Sequence, residues 1–344
     1  MSPAGQNRRW RALAVPWGAL LALISSVSFA ATEVGGKPEK TEITVTLPQP
    51  GGAQVPVFIA QEFGLFKKYG LNVKIQILNP QVAVQTVVSG DADIYNGGPT
   101  MSNARLRGAP VKYFGATTQQ FVFQMYGEKE ITNIQQLKGK TVAATTPRAA
   151  VEIVTREALK KAGLIPDKEV KILYVQTMPA VLTAIITGKT SAGTLSPPTT
   201  LKAREAGLNL LADISKMNIP GLQAGYGASE KFLKNNPNTV YAFLKAIAAG
   251  VVLAKSDPSS TKRAIAKYLN IEDPRMVDET YDAFAPYWAS RLAVREEAIQ
   301  AQLGSLDEKE FPNTKSADPK EFFDNSFADN LEKSGFLQGI GLVK

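Results

Sequence analysis

The sequence contains the same pattern of residues twice. The first copy, residues 67–100, runs from a Lys-Lys pair through a β-branched stretch and a helical stretch to Gly90, with a proline nine positions after that glycine. The second copy, residues 160–199, repeats this order around Gly188, with a short insertion at 165–169. Self-similarity at a fixed spacing is a strong guide to architecture. It predicts two similar lobes, each built from helix, strand, helix and strand, with a cleft between them.

Two missing residue types exclude several classes of protein. The 344-residue chain contains no Cys and no His. Without Cys there is no disulfide framework, thiolate nucleophile or iron–sulfur site. Without His there is no Ser-His-Asp triad and no imidazole metal ligand. We therefore expect a protein that is not an enzyme and that holds no cofactor and no metal.

The first thirty residues have the pattern of a cleavable signal peptide. Arg8, Arg9 and Arg11 precede an apolar stretch at 12–24, and small residues stand at the cleavage positions of residues 28–30. The apolar stretch is too short for a membrane span, and we expect no later span. No Cys follows it, so we expect no lipid anchor and a soluble periplasmic protein. The route of export, general or twin-arginine, stays open, as does an uncleaved anchor.

The net charge does not indicate nucleic-acid binding. The formal charge is +8, and without the three arginines of residues 1–30 it is +5. These charges are mixed Lys and Glu on predicted helix faces, whereas a nucleic-acid footprint needs clustered basic residues. We expect a solvated surface and no nucleic-acid partner.

The order of predicted elements indicates a discontinuous first lobe. Residues 43–47 form the predicted first strand, residues 121–126 lead out of the first lobe, and residues 221–228 lead back. We predict lobe I at 31–120 together with 225–344, and lobe II at 121–224.

The C-terminal third is predicted to be helical. Its helices are expected to start at Asn236-Pro237, Asp257-Pro258, Asp273-Pro274 and Asp318-Pro319, because each pair places a capping residue before proline. An apolar stripe with helical spacing follows the first of these pairs, which is typical of a helix packed in a core.

Several stretches together resemble one family. Residues 59–73, 89–94, 137–142, 162–164 and 237–244 are similar, in order and spacing, to periplasmic solute-binding proteins of the nitrate/sulfonate/taurine type, which feed ABC importers. The resemblance covers nearly all of residues 41–340. It implies an α/β, type II periplasmic-binding-protein fold, in which two βαβ lobes are joined by two hinge strands around a ligand cleft. It also implies a monomer whose partners are a small-molecule ligand and the transmembrane subunits of a permease.

Loops at the carboxyl ends of the predicted strands form the candidate site, because ligands of open α/β sheets bind there. The loops are 48–54, 96–100, 145–149 and 196–198. Two of them open helices, whose free N–H groups favour anions. With one residue near the outgoing crossing, the candidate ligand-binding residues are Gln49, Gly51, Gly52, Asn96, Gly97, Gly98, Thr100, Gln119, Thr145, Thr146, Arg148, Ala149 and Ser196.

Some of these residues have a second interpretation. Arg148 is the one charged residue in the loops and can hold a carboxylate or sulfonate bidentately, or it can point into water. Gln119 can contact the ligand or bridge backbone groups. Asp91 and Asp93 lie at the start of a strand, away from the cleft, and we expect a structural role.

The expected function is capture of a small organic anion, a sulfonate or carboxylate, for delivery to a permease. Nitrate, bicarbonate, a pyrimidine precursor of thiamine and a sensory role are the alternatives. The fold superfamily also resembles two enzymes. The fungal thiamine-pyrimidine synthase consumes its own histidine, and porphobilinogen deaminase attaches its cofactor through Cys, so neither chemistry is open to this chain.

Overall fold

The structure is a computed structural model that describes residues 34–217, 219–306 and 308–343. The predicted signal peptide at 1–30 lies outside the described residues.

The first sheet has five strands in the order β2-β1-β3-β10-β4. Strands β1, β2 and β3 are parallel, and β10 is antiparallel to both of its neighbours. The five strands are β1 (Glu42–Leu47), β2 (Asn72–Ile77), β3 (Ile94–Gly97), β4 (Val111–Gln120) and β10 (Pro220–Ser229).

The second sheet repeats this arrangement in the order β7-β6-β8-β5-β9. Its first three strands are parallel, and the fourth is antiparallel to its neighbours. The strands are β5 (Gln124–Gly127), β6 (Thr141–Ala144), β7 (Lys171–Tyr174), β8 (Ala192–Leu195) and β9 (Asn209–Asp213). The first copy of the sequence repeat supplies β2 and β3, and the second copy supplies the equivalent strands β7 and β8. The predicted α/β class with two lobes is therefore confirmed.

Helices cover both sheets. They are α1 (Val55–Glu62), α2 (Leu65–Lys68), α3 (Pro80–Ser89), α4 (Thr100–Leu106), α5 (Ala150–Lys161), α6 (Met178–Ile186), α7 (Thr199–Glu205), α8 (Glu230–Asn235), α9 (Pro237–Ser256), α10 (Pro258–Leu269), α11 (Pro274–Phe284), α12 (Glu296–Gly304), α13 (Ser326–Lys333) and α14 (Phe336–Gly339). A short 3₁₀ turn at Gly52–Gln54 precedes α1, and another starts at Pro319. Helices α9, α10 and α11 begin at the predicted prolines, and the Asp257 carboxylate accepts a hydrogen bond from Ser260 N at 3.0 Å.

Two segments connect the sheets. Residues 121–123 lead from β4 to β5, and residues 214–219 lead from β9 to β10. Residues 121–126, which were predicted to lead out of the first lobe, include this connection and the start of β5 at Gln124, since β4 ends at Gln120. The lobe boundaries at 31–120 with 225–344 and at 121–224 stay a prediction, although β10 joins the first sheet from Pro220.

Helix α9 is the core helix of the first lobe. Its apolar stripe, which is fully buried, consists of Val240, Phe243, Leu244, Ile247 and Val251. Among the described residues, α9 is long and apolar enough to cross a membrane, with a mean hydropathy of 1.4. The expectation that no stretch after residue 30 is long and apolar enough for a span was therefore wrong in length and composition. The burial of the stripe against the sheet accounts for its apolar composition.

We expect Gly250→Ala to separate α1 from α9. A Cβ at Gly250 would lie 2.7 Å from the carbonyl oxygen of Pro56, a backbone atom that cannot rotate away. The substitution should lower the free energy of unfolding by about 1–3 kcal/mol. Urea unfolding followed by circular dichroism measures this change. In Gly304→Ala the new Cβ meets nothing within 4 Å, so the control should change stability by less than about 0.5 kcal/mol. Equal effects of the two substitutions would contradict the packing account.

Candidate functional site

A cavity of about 170 Å³ lies at the carboxyl ends of the parallel strands of both sheets. A void of on the order of 150 Å³ holds a molecule such as benzene, so this cavity suits a small organic ligand. Its lining consists of Pro48, Gln49, Pro50, Gly51, Gly52, Ala53, Gln54, Pro80, Tyr95, Gly98, Pro99, Thr100, Phe123, Thr145, Thr146, Ala149, Ala150, Val151, Gln176, Met178, Ser196, Pro197, Pro198, Thr199, Gln223 and Phe284.

All four predicted loops contribute to this lining. The predicted site residues that the structure brings together there are Gln49, Gly51, Gly52, Gly98, Thr100, Thr145, Thr146, Ala149 and Ser196. The loops meet because β1, β3, β6 and β8 all end at this edge of their sheets, and the two edges face each other.

Three other predicted residues lie outside the lining. The Asn96 side chain donates to the carbonyl of Gly225 at 3.2 Å, within the sheet. The Cα of Gly97 faces the ring of Tyr95, where a Cβ would lie 2.3 Å from the hydroxyl. Gln119 bridges backbone groups, since its Nε2 donates to Ala293 O at 2.8 Å and its Oε1 accepts from Arg295 N at 2.7 Å.

Arg148 also lies outside the lining, so of its two interpretations the structure does not support contact with a ligand in this cavity. Its guanidinium contacts the carboxylate of Glu310, which comes from the segment after α12. The side chain therefore bridges the two lobes beside the cavity and does not point into it. The backbone of Arg148 has a φ of 62°, which lies in the left-handed region that few residues other than glycine adopt.

The sequence analysis missed several lining residues. Tyr95, Phe123 and Phe284 add aromatic rings, and Gln176, Met178 and Gln223 add an amide, a thioether and a second amide. Gln176 follows β7 as Asn79 follows β2, so the repeat itself held a signal for it. Phe284 carried no local signal, because it comes from α11 in the distant C-terminal region. Phe123 is 4% exposed and packs in the core of the second lobe, and it also lines the cavity.

The described residues that line the cavity carry no charged side chain. Helices α1, α5 and α6 begin at the cavity. The first N–H groups of α6 have partners, because Met178 N donates to Gln49 and Ala180 N donates to Thr177, whereas α5 has no side-chain cap. A helix amino terminus carries a partial positive charge and free N–H groups. The uncharged walls and these helix ends together favour a negative or electron-rich group in the cavity.

Thr146 presents a hydroxyl without a partner. The residue is 4% exposed, and its Oγ1 makes no hydrogen bond to any described residue. A buried polar atom without a partner costs about 1–3 kcal/mol. Since Thr146 lines the cavity, a bound ligand is the natural partner of this hydroxyl.

Buried contacts fix the wall that is built by the first lobe. Trp288 is 1% exposed, and its indole Nε1 donates to the carbonyl of Gly52 at 3.0 Å. The Cα of Gly52 lies against Phe284, where a Cβ would approach the ring to 2.0 Å, so only glycine fits. Burial raises the pKa of Tyr95, and its hydroxyl therefore stays neutral at physiological pH.

A bidentate ion pair joins the lobes on one side of the cavity. Arg204 of α7 holds Glu279 of α11 with contacts of 2.9 and 2.8 Å, and Thr200 donates to the same carboxylate at 2.6 Å. Hydrogen bonding to Glu279 raises the pKa of Arg204. Arg275 and Glu205 pair beside them at 2.9 Å.

Backbone-directed contacts join the lobes elsewhere around the cavity. The Asn103 side chain donates to Arg148 O at 3.0 Å, and the Gln81 side chain donates to Pro147 O at 3.3 Å. Gln49 accepts a hydrogen bond from Met178 N at 3.4 Å. The cavity is therefore enclosed by contacts that exist only while the lobes are together.

The acidic residues elsewhere in the described chain do not form a site. Asp93 accepts hydrogen bonds from Lys40 Nζ at 2.7 Å and from Thr44 N at 2.9 Å, away from the cavity, which agrees with a structural role. No group of three potential metal ligands occurs among the residues that the structure describes.

Comparisons with known proteins assign a family. The sequence model of the NMT1/THI5 like family matches residues 53–261, which is more than half of the chain. The 4-amino-5-hydroxymethyl-2-methylpyrimidine phosphate synthase THI13 of Saccharomyces cerevisiae is 26% identical over 261 residues, covering 70% of this chain and 74% of the yeast protein.

Solved structures share the fold. The alkanesulfonate-binding protein SsuA of Xanthomonas axonopodis pv. citri, bound to MOPS, has a TM-score of 0.67 and 16% identity, covering 85% of this chain and 97% of that one. The periplasmic nitrate-binding protein NrtA of Synechocystis PCC 6803 has a TM-score of 0.68 and 13% identity, covering 90% of this chain and 91% of that one. These similarities confirm the predicted periplasmic-binding-protein fold.

We expect Thr146→Val to stabilise the protein without ligand. The substitution keeps the shape of the side chain and removes a buried hydroxyl that has no partner, so the free energy of unfolding should rise by about 1 kcal/mol. Thr155→Val is the matched control, because Thr155 Oγ1 donates to Val151 O at 2.6 Å and lies 2.7 Å from Thr194 Oγ1, so its hydroxyl is fully partnered. The control should lose about 1 kcal/mol. Thermal unfolding checks both values, and a destabilised Thr146→Val protein would contradict the assignment.

Proposed function

The chain belongs to the NMT1/THI5-like family, and on that premise we propose that it is the periplasmic solute-binding component of an ABC importer. It captures a small organic anion, of the carboxylate or sulfonate type, between its lobes and delivers it to the transmembrane subunits of the permease. The observation that carries this proposal is the uncharged cavity between two lobes, at which helices α1, α5 and α6 begin.

The charge of the ligand follows from the cavity wall. No carboxylate lines the cavity among the described residues, so the wall offers no counter-ion for a cation. Free N–H groups at helix amino termini bind anions without a cationic side chain. Thr146 Oγ1 is a further donor, and the rings of Tyr95, Phe123 and Phe284 can pack against an apolar body.

The same wall supports binding without chemistry. General acid–base catalysis needs a titratable group near the reacting atom, and nucleophilic catalysis needs an activated nucleophile. The described lining contains no Asp, Glu, Lys or Arg, burial raises the pKa of Tyr95 and keeps its hydroxyl neutral, and the chain contains no His or Cys. The proposed protein therefore releases its ligand unchanged.

Closure of the lobes gives the protein a signal for its permease. A ligand that touches both walls stabilises the closed state more than the open one, and the population shifts accordingly. Gln49 from one lobe and Met178 from the other already meet across the cavity at 3.4 Å.

A neutral pyrimidine is the second candidate ligand. The three aromatic rings of the lining can stack on a planar heterocycle, and the amides of Gln49, Gln176 and Gln223 can pair with ring nitrogens and amino groups. The similarity to the yeast pyrimidine phosphate synthase also favours it. In that case the importer supplies a thiamine precursor.

A thermal-shift screen of residues 31–344 tests the proposed function. The panel contains alkanesulfonates, aliphatic and aromatic carboxylates, nitrate and aminopyrimidines. A ligand at a hundred times its dissociation constant adds about 2.7 kcal/mol to the free energy of unfolding, which raises the melting temperature by on the order of 5 °C.

In Thr146→Val the binding of the selected ligand should weaken by roughly tenfold, because one hydrogen bond to a charged group is lost. Thr155→Val should bind normally.

Two outcomes of the screen would contradict the proposal. The first is conversion of the bound compound into a product during incubation, detected by mass spectrometry, which would make the protein an enzyme. The second is equal affinity of wild type and Thr146→Val for every compound that binds. This result would show that the first cavity is not where these compounds bind.

We expect Glu279→Gln to open the lobes. The substitution removes the charge that holds Arg204 of the opposite lobe, and the affinity for the selected ligand should fall roughly fivefold, corresponding to about 1 kcal/mol. Small-angle X-ray scattering should show a larger radius of gyration without ligand. Asp278→Asn is the control, because Asp278 pairs with Lys262 at 2.8 Å within the first lobe. An unchanged radius in Glu279→Gln would show that this ion pair does not hold the lobes together.

A further inference from the structure

A second, larger cavity lies beside the first. Its volume is about 510 Å³, and it sits between α3 and α4 of the first lobe with one residue from the second. Thr100 lines both cavities. The proposed function does not involve this cavity.

One end of this second cavity is positively charged. Arg107 and Arg148 line it, and both guanidinium groups contact the same oxygen of Glu310, with Arg107 Nη2 at 3.3 Å. No Asp or Glu belongs to the described lining. Glu152 accepts a hydrogen bond from the Arg148 amide, but its carboxylate is paired with Arg156 at 2.7 Å. Among the residues that the structure describes, these two cations therefore share one carboxylate.

The arginines are held in place for this contact. The guanidinium of Arg107 lies 4.5 Å from the ring centre of Phe311, which is a cation–π distance. Arg148 is fixed through its backbone, because its carbonyl accepts a hydrogen bond from Asn103 at 3.0 Å. A planar guanidinium that is already oriented binds a carboxylate with little loss of side-chain entropy.

Asn103 adds a hydrogen-bond acceptor without a partner. The residue lines the second cavity and is 4% exposed, and its Oδ1 makes no hydrogen bond to any residue in the described ranges. An amide oxygen in this state favours a ligand that donates a hydrogen bond. The rest of the wall combines the polar side chains of Gln81, Gln85 and Thr100 with apolar side chains from Val84, Val88, Ala104, Ala109 and Pro110.

We propose that the second cavity is a binding site for an aliphatic hydroxycarboxylate. The carboxylate of the ligand pairs with Arg107 and Arg148, its hydroxyl donates to Asn103 Oδ1, and its alkyl chain lies along Val84 and Val88. Glu310 occupies the place of the ligand carboxylate in this structure, and the ligand competes with it. This site goes beyond the proposed function, because it does not depend on what the first cavity binds.

Calorimetric titration of residues 31–344 with 2-hydroxyhexanoate tests the site. Arg107→Gln should weaken binding about tenfold, because it removes a charged hydrogen bond. Glu310→Gln should strengthen binding several-fold, because the internal competitor loses its charge. Hexanoate, which lacks the hydroxyl, should bind several-fold more weakly, and 1-hexanol should not bind. Arg263→Gln, an arginine on α10 that donates to Ser259 and Ser260, is the matched control and should not alter binding.

A variant that fails to fold cannot bind more tightly, so the expected gain of affinity in Glu310→Gln cannot be caused by loss of folding. Equal affinity of wild type, Arg107→Gln and Glu310→Gln for 2-hydroxyhexanoate would overturn the proposal. So would loss of this binding in Thr146→Val, which would place the compound in the first cavity. Since Thr146→Val affects only the first cavity, failure of this proposal and failure of the proposed function can be told apart.

Discussion

The ion pair between Glu279 and Arg204 couples the contact between the lobes to the wall of the first cavity. Glu279 and Phe284 belong to the same helix, α11, so the residue that meets the opposite lobe and the residue that lies against Gly52 move together. Trp288 follows that helix and donates to the carbonyl of Gly52. The shape of the cavity therefore depends on whether α11 contacts α7, and a ligand that prefers this shape also favours the closed lobes.

The chemistry of the first cavity comes from backbone groups and hydroxyls. Parallel strands of both sheets end at it, so the helices that follow them begin there, and α5 does so without a side-chain cap. A wall of this kind attracts an anion without carrying a cation. It also leaves Thr146 Oγ1 without a protein partner, at a cost in stability that a ligand can recover.

The repeat in the sequence predicted the two lobes and two strands of each sheet, because each copy gives strands in equivalent places, β2 with β7 and β3 with β8. The loops at the strand ends followed from that topology. Phe284 and the role of Arg148 could not be predicted, since the first arrives from a helix far along the chain and the second depends on Glu310, which no local pattern links to it. Contacts between segments that are distant in sequence leave no periodic signal.

The distance between the edge strands β2 and β7 tests the central claim most directly. These strands lie farthest in their sheets from the strands that the connecting segments join, so closure moves them most. The chain has no Cys, and Lys74 and Lys171 are exposed at equivalent places in the two repeats, so Lys74→Cys and Lys171→Cys give two unique spin labels. Electron–electron double resonance should show a broad distribution without ligand and a shorter, narrower one when a ligand of the first cavity is added. An identical distribution in both samples would contradict a protein that closes around its ligand.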